Sequence, residues 1–289
     1  MDTDALKAFV SIAKCGSFSL AAQQLFLTQP AISKRIRKLE EQLNHRLFDR
    51  MGRELQLTEA GRALMPRAEA ILRELDEVKR GIQDLSGEIV GTLRVATSHH
   101  IGLHHLPPIL REFASRHSNV NLQFEFLDSE LAHERVSTGD CELAVVTLDP
   151  NMEHQLESSV IWQDPMFAVA SIDHDLSKLH SVDLDTLSRC AAILPDLNTY
   201  TGRIIQSTFN DAGLRIQINM ATNYLETIKM MVSVGLGWSI LPQTLIDSSM
   251  KVLPVEGLSL SRSLGLIKHR RRSLSNAGAA FFELVHKFS

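Results

Sequence analysis

Hydrophobic and polar positions change their rhythm twice along this chain. In residues 4–15, "DALKAFVSIAKC", Leu6, Phe9, Val10 and Ala13 recur at i, i+3, i+4 and i+7, one apolar helix face that Gly16 stops. Ser17 or Ser19 is placed to cap a second short helix carrying Ala22 and Leu25. After the turn residues "FLTQP", with Thr28 as cap and Pro30 in the first turn, a third helix sets Ile32, Ile36, Leu39 and Leu43 on one stripe. Short strands around Leu47–Asp49 and Glu54–Leu57 predict a hairpin turning at Met51–Gly52. The rhythm then lengthens. Leu64, Ala68, Ile71, Leu75, Val78, Ile82 and Leu85 stand 4, 3, 4, 3, 4 and 3 apart, the seam of a long helix that pairs with another. Pro66 inside that pattern predicts a kink or a restart.

Past Ser86, Gly87 and Gly91 the pattern changes again. Residues 92–97, 120–127 and 142–148 read as apolar strands, separated by helical patterns at 106–117 and 129–138. A second series follows, with strands near 157–171, 190–194, 216–221 and 237–241 and helices near 201–211 and 224–234. The final segment reads as a strand and a terminal helix. Alternation of this kind implies a parallel sheet with crossovers. The expected fold class is α/β overall: an N-terminal winged helix-turn-helix over 1–58, a linker and dimerisation helix over 59–87, and a two-lobed α/β domain over 91–289. The first lobe is expected at about 91–161 plus 268–289, the second at about 162–267, with a cleft between them.

Charge sharpens the reading of the N-terminal part. The chain of 289 residues carries a net −4, yet residues 1–65 carry +3, residues 66–90 carry −2 and residues 91–289 carry −5. On the third helix Pro30, Lys34, Arg37 and Lys38 fall opposite the apolar stripe, with Ser33 on its flank. Short polar groups near a helix N-terminus followed by cations suit entry into a major groove, where phosphates take the cations. Arg50 at the base of the hairpin and Arg53 at its tip suit a wing reaching a narrow minor groove.

These residues also carry a family resemblance. "GSFSLAAQQLFLTQPAISKRIRKLEEQL…RLFDRMGRELQLTEAGRAL" resembles the N-terminal signature of the LysR-type transcriptional regulators, including the GSF turn, the paired alanines, Gln-Pro-Ala-x-Ser, Leu-Glu, Leu-Phe-x-Arg and Leu-Thr-x-Ala-Gly. Asn44 stands where the family usually has Gly, and Asn also tolerates a left-handed helix cap. The resemblance implies that Gln29, Pro30, Ser33 and Lys34 touch bases or adjoining backbone and that Arg53 enters the minor groove. "LRVAT…LP" and "GLGWSILP" extend it to an effector-binding domain similar in fold to periplasmic binding proteins. The implied partners are double-stranded DNA with an interrupted palindrome, a small-molecule effector, and a homodimer or homotetramer of the chain. RNA polymerase joins them if the protein activates.

Loops at the C-terminal ends of strands should line the cleft. They select Thr97, Ser98, His99, His100, Asp128 and Thr147 in the first lobe, and Thr199, Tyr200, Thr201 and Asn223 in the second. Hydroxyls and helix N-terminal amides suit a small anion, and Arg203 would add a charge-assisted contact.

Other chemistries weigh less. His100 and His104 stand at i, i+4 in "HHIGLHH", but Ile101, Gly102 and Leu103 lie between them where zinc enzymes carry Glu, so these histidines read as cleft-lining or solvated and no metal is assigned. Cys15, Cys141 and Cys190 are far apart and odd in number; a redox- or metal-responsive regulator of the same family is the alternative reading. "HRRRS" (269–273) reads as a solvated loop. There is no Gly-x-Ser-x-Gly elbow and no Gly-rich phosphate loop, so neither an enzyme nor a cofactor is expected. No run approaches the ~18 apolar residues of a membrane helix and the start lacks a secretory pattern, which places the expected chain in the cytoplasm.

Overall fold

Local signals set the first helices. In the computed structural model, which describes residues 1–51, 54–149, 151 and 154–289, α1 (Thr3–Cys15) starts at Asp2, whose carboxylate accepts from the Ala5 amide at 2.7 Å. It ends at Gly16 with φ 65°. Ser17, rather than Ser19, caps α2 (Phe18–Gln24). Thr28 caps α3 (Gln29–Leu43), and Asn44 closes α3 in the left-handed region at φ 51°. The apolar faces of these helices meet in one core of Leu6, Phe9, Ile12, Ile32, Ile36 and Leu39, to which Leu47 and Ala68 are added. Each fully buried aliphatic there is worth roughly 1.5–3 kcal/mol, which outweighs the modest propensity of helices this short.

Strands β1 (Phe48–Met51) and β2 (Glu54–Leu57) pair antiparallel, with Phe48 opposite Leu57 and Arg50 opposite Leu55. Of the turn expected at Met51–Gly52, Met51 belongs to β1, while Gly52 and the expected tip Arg53 lie outside the described residues. Thr58 then joins hairpin to helix: its hydroxyl donates to the Arg46 carbonyl at 2.6 Å and accepts from the Gly61 amide at 3.0 Å. A Cβ on Gly61 would collide with the Leu47 carbonyl oxygen, which is why this turn needs glycine.

Helix α4 (Glu59–Asp84) is one uninterrupted helix through Pro66, so the expected restart does not occur. Its seam divides. Ala68 is buried and Leu64 packs on the N-terminal core, whereas Ile71, Val78, Ile82 and Leu85 are exposed at 39%, 54%, 65% and 85%. The chain separates into two compact units, Met1–Ser86 and Gly87–Ser289, so α4 belongs by its contacts to the N-terminal one.

The second unit begins with β3 (Gly91–Thr97), α5 (His99–His104), α6 (Leu106–Arg116), β4 (Val120–Phe126), α7 (Ser129–Thr138) and β5 (Leu143–Thr147). Strand β3 lies parallel to both β4 and β5. All five residues of β5 are buried, as expected of a strand covered on both faces. The long β6 (Leu156–Ser171) carries the chain into the second lobe, built from α8 (Leu184–Arg189), β7 (Ala192–Leu194), α9 (Tyr200–Asp211), β8 (Ile218–Ala221), α10 (Leu225–Ser233), β9 (Ser239–Pro242) and β10 (Met250–Val252). The return is β11 (Leu260–His269), followed by α11 (Asn276–Lys287).

Two features depart from a purely parallel reading. β6 pairs antiparallel with β9, β10 and β11, because the two crossing strands run in opposite directions between the lobes. β11 also lies alongside β5 from Leu264 to Lys268, so the return crossing is spread through the strand rather than beginning at residue 268. A register shift at Leu264/Gly265 marks the change, where a side chain on Gly265 would strike the Ser159 carbonyl. The first lobe has a core of Leu93, Val95, Phe113, Val145, Leu266 and Phe281; the second has Ile205, Phe209, Trp238 and Ile240. Among the described residues no helix is long and apolar enough to cross a membrane.

Candidate functional site

Two surfaces bring the candidate residues together, one in each unit. In the first, burial of Ile32, Ile36 and Leu39 turns the other side of α3 outward. Gln29, Pro30, Lys34, Arg37 and Lys38 are exposed and Ser33 is half-buried. Arg35 is drawn away by Asp4 of α1 at 3.1 Å. Among the described residues no carboxylate lies within ion-pair distance of Lys34, Arg37 or Lys38, so their charge is unspent. Glu40 points elsewhere, accepting the Leu47 amide at 2.7 Å. Arg50 sits on β1, and only its backbone pairing is described. A residue that periodicity missed also stands here. Phe26, in the turn before α3, is 96% exposed and holds φ 54°, a conformation that costs a non-glycine residue about 1–2 kcal/mol.

In the second unit, a pocket of about 50 Å³ opens between the lobes. Ser98, His99, His100, Asp128 and Thr147 reach it from the first lobe, and Thr199, Tyr200, Thr201 and Asn223 from the second. Two expected residues do not. Thr97 is buried and its hydroxyl donates to the Val145 carbonyl at 2.8 Å. Arg203 folds back over the Tyr200 ring, 4.7 Å from its centroid, and donates to the Asn198 carbonyl at 2.6 Å.

Five further residues complete the wall: Ser129, Glu130, Pro195, Leu225 and Arg262. Arg262 is only 5% exposed and lies in register with Asp164 across β6 and β11. Its Nε donates to Asp164 Oδ2 at 2.8 Å and its Nη1 to Thr201 Oγ1 at 3.0 Å. Its Nη2 also lies 2.8 Å from Asp164 Oδ2 without a hydrogen-bonding alignment, leaving donor capacity at the wall. Burial pushes the guanidinium pKa down, and the Asp164 carboxylate opposes that by stabilising its charge. A sequence signal for this pair existed: Leu260, Arg262 and Leu264 share a strand face, as do Trp162, Asp164 and Met166, so each charge falls among apolar neighbours.

The amides at the start of α9, expected to be open to an anion, are already engaged. The Tyr200 N–H donates to the Glu130 carboxylate of the first lobe. Asn223 likewise donates to Asp128 Oδ2 at 2.8 Å across the cleft. His99 packs edge-on against Tyr224 with centroids 4.8 Å apart. A metabolite pocket usually measures ~300–1,000 Å³, so the observed space describes a cleft closed on its own carboxylates.

Beside it, His100 and His104 of α5 face Glu226 of α10. His104 Nε2 lies 3.1 Å and His100 Nδ1 3.6 Å from Glu226 Oε1. Burial pushes the His100 imidazole down. Glu226 is the partner that the sequence did not reveal.

Together, a basic helix on a winged unit and a two-lobed unit enclosing a pocket define a DNA-binding regulator with an effector-binding domain. The chain belongs to the LysR family of transcriptional regulators: the bacterial regulatory helix-turn-helix of the lysR family matches residues 3–62, and the LysR substrate binding domain matches residues 86–289. It is similar to an uncharacterized HTH-type transcriptional regulator of the ibpB-leuC intergenic region in Azotobacter vinelandii, 59% identical over 108 residues, 37% of this chain and 75% of that one. It is 30% identical over 297 residues to a probable RuBisCO transcriptional regulator of Synechocystis sp., covering 99% of this chain and 86% of the relative. Among solved structures, full-length CbnR complexed with its target DNA matches at a TM-score of 0.72 and 20% identity, covering 100% of both chains. Proteins of this family regulate transcription, bind DNA and form oligomers.

Proposed function

We propose that the α3 face of Gln29, Pro30, Ser33, Lys34, Arg37 and Lys38 reads an interrupted palindromic operator. Arg50 and Arg53 are assigned to the wing from sequence, and Phe26 packs its ring against the adjoining sugar-phosphate backbone. The exposed seam of α4, from Ile71 to Leu85, pairs with the same seam of a second chain. A dimer or a tetramer built on it presents two reading helices to one duplex. RNA polymerase is a further partner if the protein activates.

The effector in this reading is a small anion. The observation that carries it is the buried Arg262 guanidinium on the pocket wall, beside helix amides that already hold a carboxylate. An effector carboxylate would displace Glu130 from the start of α9 and separate the lobes enough to enter. Its preference for the opened arrangement then shifts the population of DNA-bound states.

The operator half of the proposal is tested by salt dependence. Each neutralised phosphate contributes a slope near −0.9 in log K against log salt. Lys34→Ala/Arg37→Ala is expected to lower that slope by about two and to weaken operator binding uniformly across sequence variants. An unchanged slope would remove this helix face from the interface. Thermal-shift titration with a panel of small carboxylates tests the effector half; no response from any member removes the anion assignment.

A further inference from the structure

We infer that His100, His104 and Glu226 form a divalent transition-metal site that fastens the two lobes of the effector-binding unit to each other. The three side chains present ligand atoms that all lie within 4.8 Å of one another. Bonds of about 2.0–2.1 Å set tetrahedrally place neighbouring ligand atoms about 3.3 Å apart. The separations of 3.1 Å and 3.6 Å to Glu226 Oε1 bracket that edge, and the two imidazole nitrogens, within 4.8 Å of each other, would draw together on an ion. The larger one is too long for an ordinary hydrogen bond.

The surroundings of His100 favour an ion. Its ring is 3% exposed and its Nε2 lies 3.3 Å from Thr244 Oγ1. That contact suits an Nε2–H donating to the hydroxyl, the outer-shell arrangement that fixes the tautomer of a metal-bound imidazole. Nδ1 then aims a bare lone pair at a carboxylate, and it has no hydrogen-bond partner. In that tautomer two electron-rich atoms face each other at 3.6 Å, and a cation between them turns the repulsion into attraction. Arg262 makes no hydrogen bond to either group, its Nε and Nη1 going to Asp164 and Thr201.

Imidazole and carboxylate donors together suit zinc and its first-row neighbours rather than calcium or magnesium. His104 and Glu226 are about one-third exposed, so a fourth coordination position faces solvent and an ion has a way in. The site spans lobes, since the histidines lie on α5 of the first and Glu226 on α10 of the second. Metal occupancy would therefore bias the same opening that an effector requires. The site itself does not depend on the effector being an anion.

The test uses the untagged full-length chain stripped with chelator. Zinc titrated calorimetrically is expected to bind at one ion per chain with micromolar or tighter affinity and to raise the melting temperature reversibly. Cobalt(II) at the same stoichiometry is expected to give the intense visible bands of a tetrahedral site. His104→Gln and Glu226→Gln, both at partly exposed positions, should each weaken zinc binding at least tenfold and abolish the cobalt bands. Their metal-free melting should remain near that of the parent. His180→Gln, at an exposed histidine elsewhere, should bind zinc as the parent does. Sub-stoichiometric or no uptake by the parent, or parental affinity in both ligand variants, would overturn the site. A proton bridging His100 and Glu226 would give that first result, and an adventitious surface site the second.

Discussion

The reading helix and the pocket use charged groups in opposite ways. On α3 the cations Lys34, Arg37 and Lys38 stand in solvent without partners among the described residues, whereas Arg35 is held by Asp4 at the edge of the face. In and beside the pocket the charges are engaged across element boundaries: Arg262 with Asp164, Glu130 with the start of α9, Glu226 with His104. A surface meant for a long polyanion keeps its charge available and tolerates water. A cleft meant to respond to one small molecule holds internal stand-ins that the ligand must replace. The difference predicts cheap substitutions at the free cations of α3 and a costly one at the buried Arg262–Asp164 pair.

Arg262→Leu should cost the most. It leaves Asp164 buried and unpaired, and removing one partner of such a pair costs about 3–5 kcal/mol. Denaturant melting should show that loss, whereas Lys34→Ala/Arg37→Ala should melt like the parent. Adding Asp164→Leu should restore most of the stability but not carboxylate binding. A single variant with parental stability would remove the contrast between the regions.

Val78→Asp/Ile82→Asp comes next. Both side chains are more than half exposed, so the fold should be unaffected while self-association weakens at least a hundredfold. Sedimentation across a concentration series reads the effect, and unchanged association would place the dimer contact elsewhere. Glu130→Gln is smaller. It removes the internal carboxylate from α9 and should raise affinity for an anionic ligand about tenfold, equivalent to about 1.4 kcal/mol. Equal or weaker affinity would mean that Glu130 assists binding rather than competing.

The smallest effect is expected at Cys141. Burial, ahead of nearby Glu125, pushes its thiol up to about 12, so almost no thiolate forms at neutral pH. In a Cys15→Ser/Cys190→Ser background the native protein should react negligibly with a thiol reagent over minutes and with one equivalent after unfolding. Rapid native reaction would revive a thiol switch at this residue.

The legible features share one property: their causes are local. The Ser17 and Thr28 caps, the Gly16 and Asn44 stops and the Ile32–Ile36–Leu39 stripe depend on residues within a turn or two. Most of the cleft residues were reachable by a topological rule, because loops after parallel strands converge. That rule misses at Thr97, which turns into the sheet, and the added contact from Arg203 is recaptured by its own helix start. Arg262 and Asp164 were half legible: alternation marks each as inward, but their pairing needs the register of β6 and β11.

By itself the sequence determined which segments become helix or strand, where caps and turns fall, and which helix carries the free positive charge. Those outcomes follow from periodicity and from interactions a few residues long. Only the tertiary structure decided that Glu130 closes the start of α9, 70 residues away, and that Glu226 meets His104 across 122 residues. Contacts of that range leave no mark in local pattern. They exist because two crossing strands bring separate lobes within hydrogen-bonding distance, where water is scarce and each buried polar atom must find a partner.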